Sequence, residues 1–116
     1  MITAIGIDVV EVARVKKAMQ KPGFVERILT EEEQKTCTTP ERIAGRWAAK
    51  EAVAKAVGMG LGWHDVEVLN HESGAPYVRF GLKNPLCQGQ RIHVSITHES
   101  AYAAAVAIVE LVGAPV

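Results

Sequence analysis

The chain has 116 residues, 48% hydrophobic and 22% charged, with 13 basic side chains balanced by 13 acidic ones. This is the composition of one modest globular domain, residues 1–116, rather than of a disordered tail, and zero net charge gives no pointer to nucleic acid. No apolar run approaches a membrane span, no basic segment opens the N-terminus, and Cys37 and Cys87 stand far apart without CxxC spacing, so a reduced, cytoplasmic protein with no signal peptide and no membrane partner is expected.

Residues 3–10 read as a mostly buried strand, interrupted by Asp8 within Ile5-Gly6-Ile7-Asp8-Val9-Val10. A helix over 11–20 carries Val12, Val15 and Met19 on one stripe and Arg14, Lys17 and Lys21 on another. Pro22-Gly23 breaks it, and a helical turn from Phe24 to Leu29 follows. Thr30-Glu31-Glu32-Glu33 is a capping box, with Thr30 as cap and Glu33 reaching back. The long helix runs from about Pro40 to Val57, with Thr39 as cap and Gly58 as stop. Gly58-Met59-Gly60-Leu61-Gly62 lacks the GK[ST] ending of a P-loop and reads as a helix stop and turn.

Val66 and Val68 alternate with polar residues, Ser73-Gly74-Ala75-Pro76 reads as a turn, and Tyr77 to Phe80 as the next strand. Further on, Ile92, Val94 and Ile96 face one side of a strand and His93, Ser95 and Thr97 the other. A turn at His98-Glu99-Ser100 leads into Tyr102 to Leu111, whose lack of polar alternation predicts burial of both faces, one on the long helix and one at a subunit interface. The last two strands form an antiparallel hairpin. The fold class is α+β: a single antiparallel sheet packed on one long helix and shorter helices.

Two carboxylates stand where the pattern calls for apolar side chains. Asp8 lies in the first strand, and Glu51 lies on the helical line Ile43, Trp47, Glu51. A buried, unpaired carboxylate costs several kcal/mol, so two of them suggest a hard, oxygen-bound cation such as Mg²⁺, unless each is half-exposed or paired with Arg or Lys. Glu51 and Lys55 are four apart; they form either a helix-stabilising pair or a metal ligand followed by a phosphate contact. Arg46 and Lys50 make a second basic row that meets an anionic ligand or solvent. His93 and His98 lack the spacing and partners of a zinc pair, and Ser95 has no GxSxG turn.

In order, Ile5-Gly6-Ile7-Asp8, Arg14, Trp47-Ala48-Ala49-Lys50-Glu51-Ala52, Ser73-Gly74-Ala75-Pro76 and His93-Val94-Ser95-Ile96-Thr97-His98 make a more specific pattern than any one segment. From about residue 3 to 110 the chain resembles the small, single-domain phosphopantetheinyl transferases, the holo-[acyl-carrier-protein] synthases. That resemblance implies transfer of 4′-phosphopantetheine from coenzyme A to a serine of acyl carrier protein, in support of fatty acid biosynthesis, leaving adenosine 3′,5′-bisphosphate. It implies Mg²⁺, with Mn²⁺ as the variant, on Asp8 and Glu51, and Lys55 on a phosphate. Coenzyme A is expected near His93, Ser95 and His98, with Arg46, Lys50 and Lys55 as further contacts. Arg14, with Lys17 and Lys21 on the same stripe, would meet the carrier protein, and the assembly would be a homotrimer with sites at subunit interfaces. Thr97 and Trp47 stand where serine and phenylalanine are common. Val10 stands where larger relatives have a second carboxylate, so water should complete the metal shell. The stretch Cys37 to Glu41 has no counterpart. Two other functions would use similar residues: a small Mg²⁺-dependent nucleotide phosphohydrolase, and a non-catalytic coenzyme A-binding trimer module.

Overall fold

The first and last strands lie side by side. In the computed structural model, which describes residues 1–113, strand β1 (Ile2–Glu11) runs antiparallel to strand β5 (Tyr102–Leu111), in register from Ala4 opposite Val109 to Glu11 opposite Tyr102. Strand β4 (Gln90–His98) pairs antiparallel with the other side of β5, which gives the order β1-β5-β4. Strands β2 (Val66–Asn70) and β3 (Pro76–Phe80) form a hairpin in a sheet of their own. The expectation of a single sheet is therefore corrected. Between β3 and β4, Leu86 N–H donates to the Asn84 side chain and Cys87 N–H to that of Gln90, while Pro85 has no N–H to give.

Four helices lie between β1 and β2: α1 (Val12–Ala18), α2 (Phe24–Ile28), α3 (Glu31–Gln34) and α4 (Pro40–Val57). Their boundaries follow local chemistry. Gly23 takes a left-handed φ of 81° between α1 and α2, and Gly58 does the same at φ 69° to end α4. The Thr39 hydroxyl accepts from Arg42 N–H at the start of α4, and both bonds of the Thr30–Glu33 capping box are made.

Helix α4 packs across β1 and β5. The seam is built from small residues: Ala48, Ala49, Ala52 and Ala56 of α4 are buried, as are Ala103, Ala105 and Ala107 of β5. Gly6 of β1 lies against the backbone of Ala52 and Ala56. The inner side of β5 is thus buried, as expected. Its outer side is only half-covered within one chain, and beside it Ile5, Ile7 and Val9 of β1 are 62%, 63% and 61% exposed.

Candidate active site

Asp8 reaches the inner side of β1 by strand alternation, two residues beyond Gly6. The close approach at Gly6 brings this part of β1 onto the last turns of α4. There the Lys55 ammonium donates to Asp8 Oδ1 at 3.0 Å and to the Ile7 carbonyl at 3.0 Å. Asp8 is therefore partly buried and paired with a lysine, the alternative that its place in an apolar strand left open. Lys55 turns to β1, so its ion pair is with Asp8 and not the i,i+4 one with Glu51. Glu51 is likewise half-buried, one turn before Lys55, beside a space of about 40 Å³ bounded by Leu61, Gly62 and Trp63.

The deeply buried carboxylate is a different one. Glu33 is fully buried and accepts from Lys50 Nζ at 2.6 Å, from Thr30 N–H at 2.9 Å and from Val68 N–H at 2.8 Å. Lys50 also donates to the carbonyls of Ile28 and Trp63, each at 2.7 Å, so its three N–H groups are all used. Burial pushes the Lys50 ammonium below its usual pKa range, and the Glu33 carboxylate opposes that shift. Lys50 is a core residue here, with no donor left for a ligand, which corrects its placement among the coenzyme A contacts. The capping box was legible in sequence; the burial of Glu33 was not.

Arg46 is also drawn inward. Its guanidinium bonds to the Asn70 side chain, while its Nε is buried with no hydrogen-bond partner among the described residues. With Arg42, Asn70, Gly74 and His98 it lines a cavity of about 360 Å³ between α4, the β2–β3 hairpin and the end of β4. A cavity with cationic walls and an unsatisfied donor suits an anion. The structure does not bring His93 and Ser95 to this cavity. They lie on the outer face of the sheet, where His93 Nε2 is 2.9 Å from Glu110 Oε1. Glu110 has its pKa lowered by that hydrogen bond.

A larger cavity, about 460 Å³, opens beside α1. Arg14, Lys17 and Lys21 line it as one stripe, joined by Arg27, Phe24 and Trp47. Arg14 stacks over the Trp47 ring at 5.5 Å, and Phe24, Trp47 and Trp63 follow one another at centroid distances of 5.8 and 5.3 Å. Arg27 and Phe24 were not singled out from sequence, because α2 is too short to show a periodic face. Trp47, Glu51 and Lys55 succeed one another at four-residue spacing, so one face of α4 runs from this basic cavity to Asp8.

The family model described as the 4′-phosphopantetheinyl transferase superfamily matches residues 4–107, which contain Asp8, Arg14, Arg46, Glu51, Lys55 and His98. The chain belongs to that superfamily. Among relatives of this transferase chain, the holo-[acyl-carrier-protein] synthase of Listeria innocua is 47% identical over 121 aligned residues, spanning 95% of this chain and 99% of that one. Among solved structures, the Bacillus anthracis holo-(acyl-carrier-protein) synthase in complex with CoA (3′,5′-ADP) superposes with a TM-score of 0.81 at 36% identity, covering 94% of this chain and 96% of that one. The Helicobacter pylori holo-[acyl-carrier-protein] synthase in complex with coenzyme A gives 0.78 at 30% identity, over 91% and 99% of the two chains.

The donor set of this phosphopantetheinyl transferase fits a hard cation. Among the described residues no three His, Cys, Asp or Glu side chains gather as ligands, so Asp8 and Glu51 make at most a two-carboxylate, oxygen-only site. Mg²⁺ is held in that manner, by one or two carboxylates with water and substrate phosphates completing the shell. No helix is long and apolar enough to cross a membrane among the residues described.

Proposed function

We propose that the chain acts as a holo-[acyl-carrier-protein] synthase, a single transferase domain over residues 1–116 working in the cytoplasm. It moves 4′-phosphopantetheine from coenzyme A to a serine of apo acyl carrier protein, releases adenosine 3′,5′-bisphosphate, and so serves fatty acid biosynthesis. The observation that carries this reading is the α4 line Trp47, Glu51, Lys55, which joins a cationic cavity large enough for a partner's side chains to a carboxylate–lysine pair suited to a pyrophosphate.

In this reading the carrier's acidic surface docks on Arg14, Lys17, Lys21 and Arg27, which steers encounter and sets its serine toward Glu51. The serine oxygen attacks the β-phosphorus of coenzyme A. A new P–O bond forms, the P–O bond to the adenosine bisphosphate breaks, and the serine proton is released. Lys55 donates to a pyrophosphate oxygen in place of part of its bond to Asp8. Asp8 and Glu51 would hold Mg²⁺ or Mn²⁺, which when bound neutralises the pyrophosphate and stabilises the leaving phosphate. Arg46 and His98 receive the nucleotide's anionic end in their cavity, where the free Arg46 Nε supplies a donor.

The reading includes a homotrimer. The outer sheet face, with Ile5, Ile7 and Val9 beside the outward side chains Val106 and Ile108, is the kind of apolar patch that a second copy covers. The two halves of the site support this as well. Arg46 and Lys55 are about half a turn out of phase on α4, and His98 and Asp8 sit on the two edge strands of one sheet. A neighbouring copy that brought its Arg46 cavity to this chain's Asp8 would complete a site at the interface, and would meet His93 and Ser95 on the outer face. Incubation with coenzyme A, Mg²⁺ and an apo carrier protein, followed by mass spectrometry of the carrier, tests the reading. A 4′-phosphopantetheine adduct on serine supports it. Carrier-independent cleavage of coenzyme A would make the chain a phosphohydrolase, and binding without turnover would make it a non-catalytic module.

A further inference from the structure

Glu33 and Lys50 are the deepest ion pair among the described residues, their side chains 0% and 3% exposed, and the chemistry above uses neither. A buried pair of this kind adds little net stability over apolar side chains of the same size, so stability alone does not account for it. What it does supply is direction. The tetrahedral ammonium of Lys50 ties α4 to the end of α2 through Ile28, to the loop after α4 through Trp63, and to Glu33. Glu33 in turn holds the cap of α3 and strand β2 through the amides of Thr30 and Val68.

Three of these attachments adjoin the reacting groups. Ile28 follows Arg27 of the basic cavity. Trp63 meets the edge of Trp47 at 5.3 Å. Lys50 immediately precedes Glu51, and both border the small space beside Gly62 and Trp63. We infer that the Glu33–Lys50 pair is a positioning element for transfer: it sets Glu51 relative to the carrier-docking cavity, with no contact to either substrate. This rests on the assignment of Glu51 to the reacting site.

Two near-isosteric variants test it. E33Q keeps an acceptor for Lys50 and Thr30 but turns an NH₂ toward Val68 N–H. K50R keeps the charge, but its planar fork does not match three acceptors arranged for an ammonium. Each is expected to lower kcat per folded molecule by about tenfold or more, the usual scale for groups that orient a reacting side chain, while both KM values stay within about threefold. Circular dichroism and an unfolding curve fix the folded fraction at the assay temperature. Wild-type kcat per folded molecule in either variant, with only Tm lowered, would reduce the pair to a structural role and overturn the inference. If neither variant folds, E33L/K50M decides: it removes both charges together, leaving no lone charge buried, and with them the ties to Ile28, Trp63 and Val68, so kcat per folded molecule should fall by about threefold or more. An unchanged kcat would overturn the proposal. E51A is the control. If it stays active, the fault lies in the assignment of Glu51 and not in the positioning role.

Discussion

Gly6 touches Ala52 so closely that a β-carbon at residue 6 would overlap the Ala52 carbonyl oxygen and stand 2.8 Å from the Ala56 nitrogen. Both obstacles are backbone atoms of a packed helix, so neither can swing aside. Gly6→Ala should therefore push β1 away from α4 and cost about 1–3 kcal/mol, readable as a lower denaturation midpoint. Asp8, two residues along the same strand, would lose its position against Lys55, so transfer should fall by more than the stability loss explains. A variant with wild-type stability would show that the strand and helix separate easily.

Asp8→Ala and Glu51→Ala should each lower transfer by about 10²-fold or more, the scale for losing one group aimed at developing charge. Both side chains are half-buried, and the Asp8–Lys55 pair is half-exposed on the lysine side, so folding should change by less than about 1 kcal/mol. Near-full activity in Mg²⁺ for either variant would remove that residue from the metal site.

The outer sheet face offers a direct test of assembly. Ile7→Lys places a charge in the middle of the patch formed by Ile5, Val9 and the neighbouring strand. Light scattering should show a trimer for the parent chain and a smaller species for the variant. A parent chain that stays monomeric at micromolar concentration would refute the interface reading.

Arg14→Glu combined with Lys17→Glu reverses half of the cationic lining of the α1 cavity. KM for the carrier protein should rise strongly and lose much of its salt dependence, because these charges act at long range through solvent. KM for coenzyme A should stay nearly constant. Equal losses for both substrates would move the stripe to the coenzyme A site or into the fold.

Acid sensitivity should trace in part to Glu67. Burial acts to raise its pKa, but the hydrogen bond from Thr30 at 2.5 Å and the ion pair with Arg79 outweigh burial and lower it. A carboxylate with a lowered folded-state pKa stabilises the fold above its unfolded pKa of about 4.3 and loses that contribution as pH falls through the folded value. The Tm gap between the parent and Glu67→Gln should thus be constant above about pH 5 and close below about pH 4. A gap that widened in acid would contradict the sign.

Helix α4 and the capping box were legible to the residue, because caps, proline at the first helical position and a terminal glycine are local signals. The alternation of β4 was equally plain. Non-local matters were not. Nothing in Lys50 distinguishes a lysine aimed at a ligand from one whose stem runs inward to Glu33, since both occupy the same kind of helical position. The resemblance put His93 and His98 together near coenzyme A, but their odd spacing along one strand places them on opposite faces. Asp8 and Glu51 attracted notice as carboxylates in apolar patterns, while the Lys55 that meets Asp8 is 47 residues away in sequence.

The alanine seam between α4 and β5 leaves the chain an unequal freedom to vary. In most cores, losing a methylene and gaining one both do harm, but a contact made of glycine and alanine has almost nothing left to shed. Apart from Ala→Gly, every substitution there enlarges. Libraries built on this chain should therefore recover the seam nearly unchanged under even weak selection for folding, whereas the roomier aromatic row of Phe24, Trp47 and Trp63 should return many solutions.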